Sequence, residues 1–398
     1  MNLKYGRIEL VIYHEALSSG GVTAVIGDIL GSAVRHFETI VICRDNPEMR
    51  KWEKTCNSSN VLFAHTALRN RFDLLGWLDV SNILRNIRTI RRGKVLHCHL
   101  HTPFSCIPII IVAGIFSHAH IITTEHYISQ IKYIRRRELS PVKALLREMK
   151  ICALMFLKRT SFRFVETIVT VSDSNRDFMI SMFGESIAPK LLSIPNGTDT
   201  GKYDQTAGER DMNLHRERSS HLVVTVAGLN NQKGHEYLLR AIPSVIKEVP
   251  DAKFAFVGDG HLRSHLEELA ANLGIANSVE FMGWRSDVSS ILKVGDLFVL
   301  PSLFEGLPLS LIEAMAAWMP VVATDVDGTH DVVVEGVTGF LVPPKNPEAL
   351  SQRIADLLGN EKMRTKFGKA GRERAEKYFS RERMSNEYSA LYARTLNE

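Results

Sequence analysis

The sequence predicts an α/β protein made of two doubly wound parallel-sheet domains. Three observations carry that prediction. Short apolar runs rich in β-branched residues recur along all 398 residues, stretches long enough for a helix separate them, and a polar segment near the middle divides the series in two. Runs without polar alternation mark strands buried on both faces, and parallel neighbours need a crossover, usually a helix, between them.

In the first half the strands fall at 8–13, 39–43, 61–64, 95–100, 121–124, 167–171 and 191–194. In the second they fall at 222–227, 253–257, 279–282, 297–300, 321–324 and 340–342. The longest apolar run, 106–116, is far short of the roughly 20 residues that span a bilayer and is expected as a buried helix. Pro195-Asn196-Gly197-Thr198 and the charged stretch 199–220 mark the division. With no long flexible linker, domains 1–197 and 198–378 are expected to face each other across a cleft. The tail, 379–398, spaces Met384, Tyr388, Leu391 and Tyr392 as one face of a helix.

Composition excludes several classes. With 45% hydrophobic and 23% charged residues the chain reads as soluble and globular, not disordered. Five scattered cysteines without CxxC spacing argue against a disulfide framework, and Lys4, Arg7 and Glu9 argue against a secretory signal. A cytoplasmic protein is expected, so the Asn57 and Asn196 glycosylation sequons carry little weight. The net charge of +5 is uneven: residues 1–200 hold 26 Lys and Arg against 17 Asp and Glu, the remainder 23 against 27. Cations concentrate in segment 132–163, at Lys132, Arg135, Arg136, Arg137, Lys143, Arg147, Lys150, Lys158, Arg159 and Arg163, interleaved with apolar residues. Two readings fit that segment: a surface for an anionic membrane, or a solvated face over an ordinary core helix. No stacking aromatics or DNA-reading motif accompany the charge, so no nucleic-acid partner is expected.

The chemistry concentrates in the stretch 304–315. Glu305 and Glu313 straddle a loop that runs into a helix, behind a strand that ends in Pro301-Ser302. Pro308 suits a first helical turn, where its missing N–H costs nothing. The free N–H groups of a helix start attract an anion, while carboxylates accept hydrogen bonds from sugar and ribose hydroxyls. The pattern points to a phosphorylated sugar, with no metal or other cofactor required.

Around this stretch stand Lys233-Gly234 after one strand, Val257-Gly258-Asp259-Gly260 after the next, Phe281-Met282-Gly283-Trp284, then Val321 to Asp325 and Gly336 to Phe340. In that order, with a Glu pair separated by seven residues, the segment 220–350 resembles the retaining glycosyltransferases of family 4. The resemblance implies the GT-B fold, two Rossmann-like domains with a final helix crossing back to the first. It also implies residue roles. Lys233 neutralises the donor diphosphate, Glu305 lies near the donor sugar, and Glu313 binds the ribose. Gly306, Leu307 and Pro308 meet phosphate or sugar, Gly283 and Trp284 flank the base, and Gly20 and Gly21 close over the phosphates. His126 positions the reacting centre, and His99 and His101 face the acceptor. Two positions depart from the family pattern. Gly228 stands where the family has an Arg, removing half of its cationic clamp, and Trp318 stands where the family mostly has Gly. A lost contact of the first kind commonly costs about 10²-fold in turnover.

Plainer readings stand beside these. His126 also fits a structural histidine, Lys233 a solvated loop lysine, and Gly20-Gly21 a tight turn. His97, His99 and His101 alternate along a strand as a zinc row would, but no fourth ligand follows at recognisable spacing. Asp325-Val326-Asp327 imitates a metal-binding Asp-x-Asp, and Gly258-Asp259-Gly260 a dinucleotide fingerprint that lacks its third glycine. The expected function is transfer of a hexose, with retention, from a nucleotide-diphosphate sugar, UDP-linked ahead of GDP-mannose. The acceptor would be a glycan or lipid-linked saccharide in bacterial polysaccharide, lipopolysaccharide or glycolipid synthesis at the inner membrane face. The rivals are a sugar-nucleotide epimerase of the same fold and a non-catalytic binding homologue.

Overall fold

The computed structural model describes residues 9–14, 21–33, 36–44, 61–66, 87–100, 106–126, 131, 141–204 and 221–397. The chain forms two compact units, Met1–Asn196 with Glu382–Glu398, and Gly197–Arg381. All thirteen expected apolar runs are strands, with ends shifted by a residue or two.

Unit 1 holds a parallel sheet of β1 (Leu10–His14), β2 (Thr39–Arg44), β3 (Val61–Thr66), β4 (Val95–Leu100), β5 (His120–Glu125), β6 (Thr167–Thr170) and β7 (Leu191–Ser193), in the order β3-β2-β1-β4-β5-β6-β7. Leu10 aligns with Thr39 on one side and Val95 on the other, so the strand order reverses direction between β1 and β4. Its described helices are α1 (Gly21–Ala33), α2 (Ile107–Phe116), α3 (Pro141–Ser161), α4 (Asp173–Phe183) and the closing α12 (Arg381–Asn397). Helix α4 shows why such segments start and stop where they do. The Ser172 hydroxyl accepts from Asn175 N at 3.2 Å, and Gly184, at φ +86°, ends the helix.

Two expectations need correction here. The run 106–116 is not buried throughout: Ile107, Ile109, Ile110 and Ala113 enter the core, while Ile115 and Phe116 lie exposed at the far end. Lys158, counted above with the surface cations, is fully buried and forms a two-pronged ion pair with Glu125 at 2.7 and 2.8 Å. The cations Lys132 to Arg137 and the first strand's residues before Glu9 lie outside the described residues.

Helix α12 belongs to the core of unit 1. Tyr388 and Tyr392 are among its largest fully buried side chains. His97 on β4 bonds the Tyr392 hydroxyl through Nδ1 at 2.6 Å and the Thr124 hydroxyl through Nε2 at 2.7 Å, and Thr124 in turn meets Tyr388 at 3.2 Å. Burial holds His97 neutral, its pKa lowered to about 3, and pushes both tyrosines up. A neutral imidazole with one donor and one acceptor nitrogen fits between two hydroxyls.

Unit 2 holds β8 (Leu222–Val226), β9 (Lys253–Val257), β10 (Val279–Gly283), β11 (Leu297–Leu300), β12 (Val321–Thr324) and β13 (Gly339–Val342), all parallel in the order β10-β9-β8-β11-β12-β13. Helices α5 (His235–Glu248), α6 (Arg263–Asn272), α7 (Val288–Val294), α8 (Leu309–Ala316), α9 (Thr329–Val332), α10 (Pro347–Leu358) and α11 (Glu361–Phe379) complete it. Leu238, Leu239, Ile242 and Val245 of α5 share a core with Leu350, Ile354 and Leu357 of α10 and the strand residues Phe254, Phe256, Leu297 and Val299. Pro308 precedes α8 as its N-cap residue instead of occupying the first helical position, because its ψ of 105° is extended.

The Lys158–Glu125 pair makes a direct stability test. Removing one partner strands a buried charge, so Lys158→Met is expected to cost about 3–5 kcal/mol in denaturant unfolding. The double variant Lys158→Met/Glu125→Leu is expected to recover most of that loss.

Candidate active site

In an open parallel sheet, ligands bind beyond the carboxyl ends of the strands where the strand order reverses, because the two flanking loops diverge there. In unit 2 that point lies between β8 and β11. The loop after β8 carries Lys233 and the loop after β11 carries Glu305, and the two meet: Lys233 Nζ lies 2.6 Å from Glu305 Oε1. Ser302 donates to the same oxygen at 2.6 Å. Glu305 is buried, so its carboxylate needs these donors.

Backbone contacts hold the two loops in register. Leu303 N donates to Gln232 O at 2.7 Å and Gln232 Nε2 donates to Phe304 O at 3.0 Å. Gly234, at φ +61°, lies so close to the β11 loop that a Cβ there would stand 2.1 Å from Pro301 O. From the far side Gly328 presses on Gly306, where an added Cβ would fall 2.0 Å from its carbonyl oxygen. Gly306, Leu307 and Pro308 are buried beside the pair and lead into α8, whose start carries no side-chain cap. Its first N–H groups point out of the helix start as an anion site requires.

Glu313 lies on α8, one turn before the helix ends. Its carboxyl is raised to about 7 by burial, partly offset by a hydrogen bond from Tyr203 and the charge of Lys202. Tyr203, in the short turn Thr200–Tyr203, is itself buried. Arg372 fixes that turn against α8: Nη1 donates to Thr200 O at 3.0 Å and to Ala316 O at 2.7 Å.

The remaining expected residues are placed as follows. Gly283, at φ +66°, ends β10, and its carbonyl accepts from Gly258 N at 2.8 Å. The next residue, Trp284, is 68% exposed. Gly228 tolerates an added Cβ, which would meet Asn230 Nδ2 at 3.4 Å and Asp259 O at 3.7 Å. Its carbonyl accepts from His235 Nε2 at 3.3 Å. Burial lowers the His235 pKa to about 4, so this histidine does not replace the family Arg as a charge. Trp318 adopts φ +63°, the left-handed conformation that explains a glycine preference at this position.

In unit 1 the strand order reverses between β1 and β4. His99, at the end of β4, and His126, just past β5, are both buried and stack at 5.5 Å, with His99 Nδ1 3.2 Å from His126 Nε2. Gly21 opens α1, while Gly20 and His101 lie outside the described residues. Asp325 is exposed and pairs with His330 at 3.1 Å. Among the described residues no group of three His, Cys, Asp or Glu is arranged to hold a metal ion. Ser302, Tyr203 and Arg372 were not anticipated. Ser302 is three residues from Glu305 and readable as a loop donor, whereas nothing local links Tyr203 or Arg372 to Glu313.

Two family models match consecutive stretches of the chain: Glycosyltransferase Family 4 over residues 19–202 and Glycosyl transferases group 1 over residues 210–374. The chain belongs to this glycosyltransferase family. An uncharacterized glycosyltransferase of Methanocaldococcus jannaschii is 32% identical over 200 residues, 48% of this chain and 51% of that protein. The UDP-Gal:alpha-D-GlcNAc-diphosphoundecaprenol alpha-1,3-galactosyltransferase of Escherichia coli is 33% identical over 159 residues, 38% of this chain and 41% of that protein. These matched stretches therefore span about half or less of each relative. The structure of Anabaena HepE in complex with UDP superimposes with a TM-score of 0.80 at 18% identity, covering 97% of this chain and 100% of that one, which shows a shared GT-B fold.

Two measurements check the geometry. Gly234→Ala adds a Cβ in a left-handed position against Pro301 O, and is expected to cost on the order of 2 kcal/mol in denaturant unfolding. For Glu313, whose folded pKa near 7 exceeds the unfolded value of 4.5, the stability it contributes is complete below pH 4.5 and lost as pH rises through 7. Glu313→Gln is therefore expected to gain on native protein by on the order of 2 kcal/mol between pH 4.5 and 7.5.

Proposed function

We propose that the protein transfers a hexose from a nucleotide-diphosphate sugar, UDP-linked ahead of GDP-linked, to a hydroxyl of a glycan or lipid-linked saccharide, with retention of configuration. The observation that carries this reading is the Lys233–Glu305 pair at the unit 2 reversal point, beside the uncapped start of α8. A diphosphate there meets one ammonium and several backbone N–H groups, which favour charge developing on the leaving group. Glu305 orients Lys233 and lies beside the donor sugar, and Glu313 takes the ribose. The departing phosphate is the base for the acceptor hydroxyl, so this reading assigns no carboxylate base and no metal. The acceptor is assigned to the β4 and β5 ends of unit 1, near His126. The Escherichia coli relative, named for a UDP-galactose donor and a diphosphoundecaprenol acceptor, and HepE with its bound UDP support the donor and acceptor classes.

A peripheral membrane site accompanies this reading. Helix α3 exposes Val142, Leu145, Leu146, Met149 and Phe156 along one stripe, and α2, which packs against α3, exposes Ile115 and Phe116. Lys143, Lys150 and Arg159 are exposed on the same helix. Apolar side chains flanked by cations match an anionic bilayer surface. No described helix is long and apolar enough to cross a membrane. Leu146→Glu/Phe156→Glu is expected to lower binding to vesicles containing anionic lipid by tenfold or more, and unchanged binding would contradict the site.

One observation favours a second reading, a nucleotide-sugar-binding module without turnover: Gly228 leaves Lys233 as the single cation in residues 227–235. Transfer assays with UDP-hexoses and GDP-mannose, in chelator with lipid-linked saccharide acceptors, separate the readings. The proposal expects transfer with retained configuration and a loss of about 10²-fold or more in Glu305→Gln. Gly228→Arg, whose Cβ would make only ordinary contacts, is expected to raise turnover. Binding without transfer would support the module, and interconversion of the free donor would support an epimerase.

A further inference from the structure

We propose that Tyr203 is the positioning residue for the ribose end of the donor, holding the Glu313 carboxylate in the orientation that receives the ribose hydroxyls. The proposal rests on the donor-site reading above and extends it to a residue 110 positions away in sequence from the carboxylate it serves.

The side chains form a directed chain. The Thr198 hydroxyl donates to the Tyr203 oxygen, and the Tyr203 hydroxyl donates to the Glu313 carboxylate. Each end is rigidly supported. Thr198 N donates to Phe379 O at 2.9 Å, Arg381 N donates to Thr198 O at 2.8 Å, and Gly197 lies so close to Ser380 that an added Cβ would stand 2.4 Å from its carbonyl oxygen. These contacts lie where the chain enters and leaves unit 2. At the other end Arg372, itself buried, joins the Thr200 carbonyl to Ala316, the last residue of the helix that carries Glu313, and also pairs with Asp204 and Glu376.

A glutamate on a helix has many rotamers, and a ribose diol needs one of them. A buried tyrosine with two torsions, fixed at both sides, selects that rotamer before the donor arrives. A carboxylate offers about four acceptor positions. One bond from Tyr203 therefore leaves lone pairs for the 2′- and 3′-hydroxyls. The consequence is specificity: a site built around a hydroxyl rejects the analogue lacking it far more strongly than a loosely held acceptor does.

The test compares UDP with 2′-deoxy-UDP and 3′-deoxy-UDP, and GDP with its deoxy forms if GDP is the nucleotide bound, by calorimetric titration. The native protein is expected to prefer the ribonucleotide to at least one deoxy form by tenfold or more. Tyr203→Phe keeps the ring and removes the bond, and is expected to reduce that preference at least threefold while leaving deoxy-nucleotide affinity within twofold. Thr198→Val, which removes the outer bond of the chain, is expected to reduce the preference in the same direction by a smaller factor, and carries the test if Tyr203→Phe does not fold. An unchanged preference in both variants overturns the proposal, as does equal weakening of ribo- and deoxy-nucleotides, which marks a purely structural role. Glu313→Ala separates the two levels. Loss of preference there, with none in the Tyr203 and Thr198 variants, leaves the donor reading standing and removes Tyr203. Unchanged binding in Glu313→Ala removes the donor reading itself.

Discussion

The Lys233–Glu305 ion pair is the contact on which the functional architecture of unit 2 depends. A buried carboxylate is tolerated only with donors, and Glu305 has two on one oxygen, the Lys233 ammonium and the Ser302 hydroxyl, both at 2.6 Å. That requirement ties the loop after β8 to the loop after β11 across the point where strand order reverses. Gln232, Leu303, Gly234 and Pro301 then hold the backbones close enough for the pair to form. The pair thus places a cation against the loop that leads into the uncapped start of α8. An anionic ligand binding there exchanges water for preorganised dipoles, which is where electrostatic stabilisation is most effective.

Elsewhere the protein manages buried polarity by neutralising it or pairing it. His97 and His235 are held uncharged by burial, one within a network of hydroxyls and the other on the Gly228 carbonyl. Lys158 and Glu125 stay together because each is costly alone. Glu125 precedes His126 in the chain, so this pair also fixes the strand end from which His126 projects. Glu313 is the exception, a carboxyl raised to about 7 and bonded to a tyrosine instead of a cation. Its environment suits a group that receives neutral hydroxyls better than one that binds a charge.

The sequence made β11 and β12 plain because each is buried on both faces and so reads as a continuous run without polar alternation. Lys233 and Glu305 stand out in the sequence because each lies in a strand-to-helix loop, and Glu313 because it follows Glu305 by eight residues into the next helix. What it hid were pairings between distant segments. Lys158 reads as one more cation in a basic stretch until Glu125 is found against it. Tyr203 reads as part of a polar segment until Arg372 draws its turn onto α8. The run 106–116 misled for a different reason: it is apolar all round, so its pattern gives no sign that Ile115 and Phe116 leave the core. Pro308 was offset by one residue, since helix starts are set by ψ angles that proline does not determine.

The central claim is that Lys233 and Glu305 form an anion-binding donor site. Isothermal titration of UDP and GDP in chelator, into native protein and Lys233→Met, tests it most directly. The account predicts binding of one nucleotide by the native protein and a loss of tenfold or more in the variant, with the salt dependence of binding reduced. Equal affinity of both proteins for the nucleotide, or no binding by the native protein, would contradict it.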